Sequence, residues 1–133
     1  MNTSSNSNRP LSPHLQVYRL PMTAIMSISH RITGAILAGG SLLIAAFLVS
    51  AVLGEAQYET VRAFASSWFG LVILAGWSFC LYYHLCNGVR HLIWDTASML
   101  SKKQAAVSGW VVILSTILLT GATWCFALCD GSY

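Results

Sequence analysis

The sequence predicts an all-α membrane bundle of three transmembrane helices, with its N-terminus on the cytoplasmic side. Charge poverty is the first reason. Of 133 residues, 56% are hydrophobic and 8% are charged, whereas a soluble domain carries about 25% charged residues. Such a chain lacks the charge to cover a water-facing surface, and lipid removes the need for it. The second reason is a set of three long apolar runs, each near the roughly 20 residues that a helix needs to cross a bilayer. The third is the placement of lysine and arginine, which gather on one side of those runs. The length suits one small domain.

Taken in order, residues 1–12 are polar, rich in Asn and Ser, and read as a disordered tail. They show neither a cationic start with a short apolar core and cleavage site nor an Arg-rich amphipathic pattern. Direct insertion into a bacterial inner membrane, as a multi-pass protein, is therefore expected. Residues 13–133 form the membrane unit. The first span covers roughly 25–53 and contains the uncharged run ITGAILAGGSLLIAAFLVSAVL. Its helix is expected to start near Pro21, because a first turn does not need the N–H that proline lacks. The second span covers roughly 67–94. It begins apolar (WFGLVILAGWSFCLYY) and ends with His84, Arg90 and His91. The third, roughly 105–129, has no charge. Loops are expected at about 54–66 and 95–104, and there is no internal repeat.

Arg9, Arg19 and Arg31 precede or open the first span, and Arg90, Lys102 and Lys103 surround the second loop. The other side holds Arg62 with Glu55, Glu59 and Asp130. Cytoplasmic loops carry the excess of Lys and Arg, so the N-terminus is expected inside and the C-terminus outside. The net charge of +3 is too small and scattered to point to nucleic acid. Cys80, Cys86, Cys125 and Cys129 lie in apolar stretches, at spacings that match no zinc or thioredoxin-type motif. They read as small buried hydrophobes.

Ionisable side chains inside a membrane cost on the order of 2.5–3.5 kcal/mol each on insertion scales, and they usually have a partner or a function. Here they form two groups. Ser27, His30, Arg31 and Gly34 stand at i, i+3, i+4 and i+7, on one helix face. The alternative for Arg31 is snorkelling to lipid headgroups. His84, Gly88, His91 and Asp95 stand at i, i+4, i+7 and i+11, again one stripe. His84 lies about 9 Å deeper than Arg90, at 1.5 Å per residue. A neutral histidine at that depth needs a hydrogen bond or a metal, and haem iron accepts an imidazole nitrogen as axial ligand. Gly88, one turn on, would let a flat macrocycle approach the backbone. His84 and His91 are about 10 Å apart along one helix, so they cannot clasp one iron from opposite sides. A second histidine ligand would be His30, or His14 near the membrane surface, or would belong to another subunit.

The stretches RPLSPHLQVYRLPMTAIMSISHRITG at 9–34 and HLCNGVRHLIWD at 84–95 resemble the two signature stretches of the succinate dehydrogenase cytochrome b subunit family. The family patterns are RP-x-SPHL followed by S-x-x-HR-x-[ST]G, and H-x-x-x-G-x-RH-x-x-x-D. Both match in order, across one span. The resemblance covers essentially the whole chain. It implies the membrane anchor subunit of a succinate:quinone oxidoreductase, an enzyme as a subunit and not a complete enzyme as a lone chain. It implies a haem b (iron) held with a second small anchor subunit, and partnership with an iron–sulfur subunit and a flavoprotein subunit. It carries the haem axial ligand to His84, haem-propionate contacts to His30, Arg31 and His91, and the ubiquinone site to Ser27 and Arg31, with Asp95 on a proton path. For Asp95 the alternative is a surface partner of Arg90 or of the lysines.

Other readings stand beside this one. They are a structural anchor without haem, the b-type subunit of a fumarate reductase or another respiratory complex, and a small multidrug-type transporter. Such transporters need an acidic residue deep in a span, whereas Glu55, Glu59 and Asp130 lie outside and Asp95 sits at a helix end. B-type subunits of other complexes commonly place several histidines on different helices, against the single deep His84 here.

Overall fold

The computed structural model describes residues 19–130. The expected tail at 1–12, with Arg9, and His14 beyond it lie outside the described residues. Four helices follow in order: α1 (Met22–Leu53), α2 (Glu55–Ser66), α3 (Trp68–Asp95) and α4 (Lys102–Cys129). Three of them, α1, α3 and α4, are long and apolar enough to cross a membrane. The 32 residues of α1 span about 48 Å at 1.5 Å per residue, against a hydrocarbon core of about 30 Å. The ends of these helices therefore reach past the acyl chains, where polar side chains are tolerated.

Each helix end has a local cause. Pro21 caps α1 in an extended conformation (φ −65°, ψ 152°), and its carbonyl accepts from the amides of Ala24 and Ile25 at 2.9 and 3.2 Å. Gly54 separates α1 from α2 at φ +124°, a backbone state that side chains with a Cβ rarely adopt. The Ser67 hydroxyl accepts from the Gly70 amide at 3.1 Å and so caps α3. Ser101 and Gln104 form a reciprocal capping box at the start of α4.

The segment 54–66, expected as a loop, is mostly helix. Tyr58, Val61 and Ala65 turn inward against the bundle while Glu59 and Arg62 face out. The exposed Arg62–Glu59 pair lies at 3.3 Å and adds little stability. Phe64, Trp68 and Phe69 are exposed and meet ring edge to ring face. Aromatic rings are enriched at the lipid–water interface, so this corner sits at headgroup depth.

α3 is the central helix, packing on both α1 and α4, which touch each other less. The small apolar core is Met26, Tyr83 and Val112, with Met22 and Cys86 against it. What surrounds it inverts the pattern of a water-soluble domain. Asn87 and Thr116 are fully buried, while Val52, Trp68 and Leu42 are among the most exposed side chains. In lipid, apolar burial between helices has little driving force, so packing and interhelical hydrogen bonds hold a bundle together. Here Tyr82 bonds Thr123 through their hydroxyls at 2.6 Å, and the Trp124 indole donates to Ser78 at 2.9 Å.

The α2–α3 corner has no room for a side chain at position 70. A Cβ there would meet the carbonyl oxygens of Phe64 and Ala65, which are backbone atoms. Overpacking costs about 1–3 kcal/mol. Gly70→Ala is expected to lower the melting temperature of the detergent-solubilised protein, followed by tryptophan fluorescence. An unchanged melting temperature would show that the corner opens freely.

Candidate functional site

α3 carries two adjacent polar stripes. Tyr83, Asn87 and Arg90 stand at i, i+4 and i+7 and are buried between the helices. His84, Gly88 and His91 stand one residue further round, and line a cleft of about 630 Å³. Ser27, His30 and Arg31 form its opposite wall, from the first turns of α1. Cofactor and small-molecule sites fall at about 300–1,000 Å³. Two stretches more than fifty positions apart are thus brought to one site.

The inner stripe holds α1 in place. The Tyr83 hydroxyl donates to the Met26 carbonyl at 3.3 Å, and the Asn87 amide donates to the same oxygen at 3.4 Å. Arg90 turns away from the loop and into the α3–α4 interface. Its Nε donates to the Ser108 hydroxyl at 2.9 Å, one Nη to Asn87 Oδ1 at 3.2 Å and the other to the Ala105 carbonyl at 3.0 Å. The guanidinium also lies 4.0 Å from the centre of the Trp94 ring. None of these partners is a carboxylate. Arg90 is therefore a buried structural cation rather than the surface partner of Asp95. Because arginine only donates, Asn87 presents its oxygen to Arg90 and its amide nitrogen to Met26 and, at 3.5 Å, to His91 Nε2.

The cleft stripe is organised around three histidines. The rings of His30 and His84 stack with centroids 3.9 Å apart and planes 7° from parallel. His91 lies 5.2 Å from His30, tilted by 54°. Face-to-face rings at that spacing leave no place for an iron between them, so His30 does not oppose His84 across a metal. His84 Nδ1 lies 3.0 Å from the His30 carbonyl oxygen. A carbonyl only accepts, so Nδ1 carries the proton and the Nε2 lone pair is left for a ligand. His30 Nδ1 is buried with no hydrogen-bond partner. Asp95 is exposed at the last residue of α3 and takes no part in the cleft wall. The remaining Ser27, His30, Arg31, His84 and His91 are all on it.

Sequence reasoning singled out neither Asn87 nor Thr33. Asn87 repeats at helical spacing with Tyr83 and Arg90, a signal that the second stripe overshadowed. Thr33 is buried, its hydroxyl 2.9 Å from the Ser29 carbonyl and 3.0 Å from that of His30.

Comparison with known proteins gives one consistent result. Residues 5–123 match the family described as succinate dehydrogenase/fumarate reductase transmembrane subunit. The chain is 44% identical over 119 residues to the succinate dehydrogenase cytochrome b556 subunit of Paracoccus denitrificans, covering 90% of this chain and 92% of that one. It is 36% identical to the protein of the same name from Rickettsia felis, over 89% of this chain and 92% of that one. To the mitochondrial cytochrome b560 subunit of Sus scrofa it is 39% identical, over 88% of this chain and 70% of that protein.

Removing Arg90 tests the inner stripe. Arg90→Leu strands Asn87 Oδ1 in a fully buried residue, and an unsatisfied buried polar group costs about 1–3 kcal/mol. A marked fall in melting temperature is expected. Arg90→Lys recovers only part of it, since an ammonium cannot reproduce the planar fork. If Arg90→Leu melts like the wild type, the stripe does not hold the bundle.

Proposed function

Since this chain belongs to the family of succinate dehydrogenase/fumarate reductase transmembrane subunits, we propose that its cleft is half of a shared haem b and ubiquinone site. The chain is a subunit of a succinate:quinone oxidoreductase and is not catalytic alone. It is a multi-pass protein of a bacterial inner membrane. A second small anchor subunit closes the cleft, and a flavoprotein and an iron–sulfur subunit dock at its cytoplasmic end. The curated relatives favour succinate dehydrogenase within the family, because they carry that name.

One observation supports this reading above the others. Donors from α1 and α3 and the Arg31 cation converge on one open cleft, and His84 is held there with Nε2 unprotonated. This donor set fits an iron macrocycle bearing carboxylates. His84 Nε2 would ligate the iron. His30, with its buried and unpartnered Nδ1, would join Arg31 and His91 in holding the propionates by charge-assisted hydrogen bonds. Because His30 stacks on His84, any second protein ligand to the iron would come from the second anchor subunit. When bound, haem b supplies a one-electron store beside the quinone.

The quinone half rests on the outer turn of α1. The Ser27 hydroxyl donates to a quinone carbonyl. The Arg31 guanidinium stabilises the negative charge that develops on that oxygen as electrons arrive, and a fixed donor of this kind needs no reorganisation. Reduction to quinol takes up two protons with two electrons. Exposed Asp95, at the water end of α3, offers a carboxylate where protons enter. The N-terminus lies on the cytoplasmic side, as the end carrying Arg19, Arg31, Lys102 and Lys103 indicates.

The reduced-minus-oxidised spectrum of the purified complex tests the ligand. His84→Ala is expected to lose the b-type band, and a normal band would refute the assignment. An intact complex without haem iron would favour the structural anchor. Ser27→Ala and Arg31→Ala are expected to slow quinone reduction by about 10²-fold, the usual effect of removing one such donor, while dye-linked succinate oxidation survives. Equal loss of both activities in an intact complex counts against a local quinone role. For orientation, alkaline phosphatase fused to the C-terminus is expected to be active. An inactive fusion beside a fluorescent green fluorescent protein fusion would reverse the topology.

A further inference from the structure

We infer that Thr33 and Gly34 are positioning residues for His84: together with the His30 carbonyl they fix the tautomer and the angle of its imidazole. The inference rests on the reading of His84 as a metal ligand and extends it to residues that touch neither iron nor quinone.

Three sides of the His84 ring are held by one turn of α1. Nδ1 donates to the His30 carbonyl at 3.0 Å, and the Thr33 hydroxyl oxygen lies 3.4 Å from the same nitrogen. The Thr33 proton is directed to main-chain carbonyls, 2.9 Å to Ser29 and 3.0 Å to His30. Its oxygen therefore faces Nδ1–H as a second acceptor. Were Thr33 to donate to Nδ1 instead, the nitrogen lone pair would face the His30 carbonyl lone pair at 3.0 Å. The forked arrangement is the one without that repulsion. Next to it, the Cε1 edge of the ring fills the space that Gly34 leaves: a Cβ at position 34 would stand 2.9 Å from Cε1 and 3.4 Å from Nδ1. On the third side the face of the ring stacks on His30 at 3.9 Å. Nε2 is the ring nitrogen that this seat leaves to a ligand.

Histidines that bind metals generally donate their other N–H to a carbonyl or carboxylate. That partner fixes ring orientation and raises ligand basicity. Greater basicity favours ferric over ferrous iron. The seat also joins the two halves of the cleft. Thr33 and Gly34 lie on the same α1 turn as His30 and Arg31, so a change in the seat reaches the ligand directly without removing any group that meets the quinone.

The test uses the whole membrane complex, purified in detergent, with three variants beside the wild type. Thr33→Val keeps the shape and removes the hydroxyl. Thr33→Ser keeps the hydroxyl and is the rescue. Gly34→Ala intrudes on Cε1. Thr33→Val is expected to raise the midpoint potential of the haem, and Thr33→Ser to restore it. Gly34→Ala is expected to shift the highest g value of the oxidised low-spin haem, which reports the angle between axial ligand planes. It is also expected to lower haem content per complex. If Thr33→Val keeps the wild-type midpoint potential, the inference falls, whatever Gly34→Ala does. If Thr33→Val and Thr33→Ser shift the potential alike, the effect belongs to packing and the inference also falls. His84→Ala, run in parallel, separates this failure from the failure of the ligand assignment. If it retains the b-type band, the ligand reading is wrong. If it loses the band while the seat variants behave as wild type, only the positioning role is wrong.

Discussion

Hydrogen bonds from α3 side chains to two main-chain carbonyls of α1 are what the rest of the structure depends on. Tyr83 and Asn87 donate to the Met26 carbonyl, and His84 donates to that of His30, one turn on. A helical carbonyl has a second lone pair after its own ladder bond is made. In lipid no water competes for it, and a donor on the neighbouring helix is left unsatisfied unless it finds such an acceptor. The two helices are thereby fixed in both rotation and depth. Ser27 follows Met26 and Arg31 follows His30, so the bonds that satisfy α3 also aim the α1 wall of the cleft.

The division of labour on α3 follows from a displacement of one residue, about 100° of helix rotation. The stripe at 83, 87 and 90 faces inward, where every polar atom must find a partner within the bundle. The stripe at 84, 88 and 91 faces the cleft, where polar groups are left to meet something else. The contrast is sharpest between Asn87, whose amide is used on both ends, and His84, whose Nδ1 is bonded to α1 while its Nε2 is left toward the cleft. The α1 wall adds His30, whose Nδ1 is buried without a partner.

The cleft was legible in the sequence because helical periodicity alone gathers Ser27, His30, Arg31 and Gly34 on one face and His84, Gly88 and His91 on another. Hydropathy did the same for the three spans. Three features escaped, for different physical reasons. The segment 54–66 holds two glutamates and an arginine and is too polar to stand out by hydropathy. Its helical signal lay in the spacing of Tyr58, Val61 and Ala65. The role of Arg90 depends on the rotation of α3 against α4, and its acceptors at Ala105 and Ser108 lie across a loop, where single-helix periodicity says nothing. At Gly34 the imidazole of His84 fills the space that the missing side chain leaves, and only the crossing of two helices determines which residue enters it.

The buried charge on Arg90 has an electrostatic consequence for the cleft. A guanidinium removed from water is stabilised here by neutral oxygens and an aromatic face rather than by a carboxylate. Neutral acceptors satisfy its N–H groups but leave its net charge in place. In a low-dielectric interior that charge acts over a longer range than it would in water. Asn87 is bonded to Arg90 on one side and to His91 and Met26 on the other, so the charge stands directly behind the cleft wall. Arg31 adds a second positive charge on the far wall. A cleft flanked by two cations, with no acidic side chain among its lining residues, favours anionic groups within it. Carboxylates of a bound cofactor and a quinone oxygen gaining negative charge are both of that kind. The cation that holds α3 to α4 therefore also biases what the adjacent face of α3 can bind.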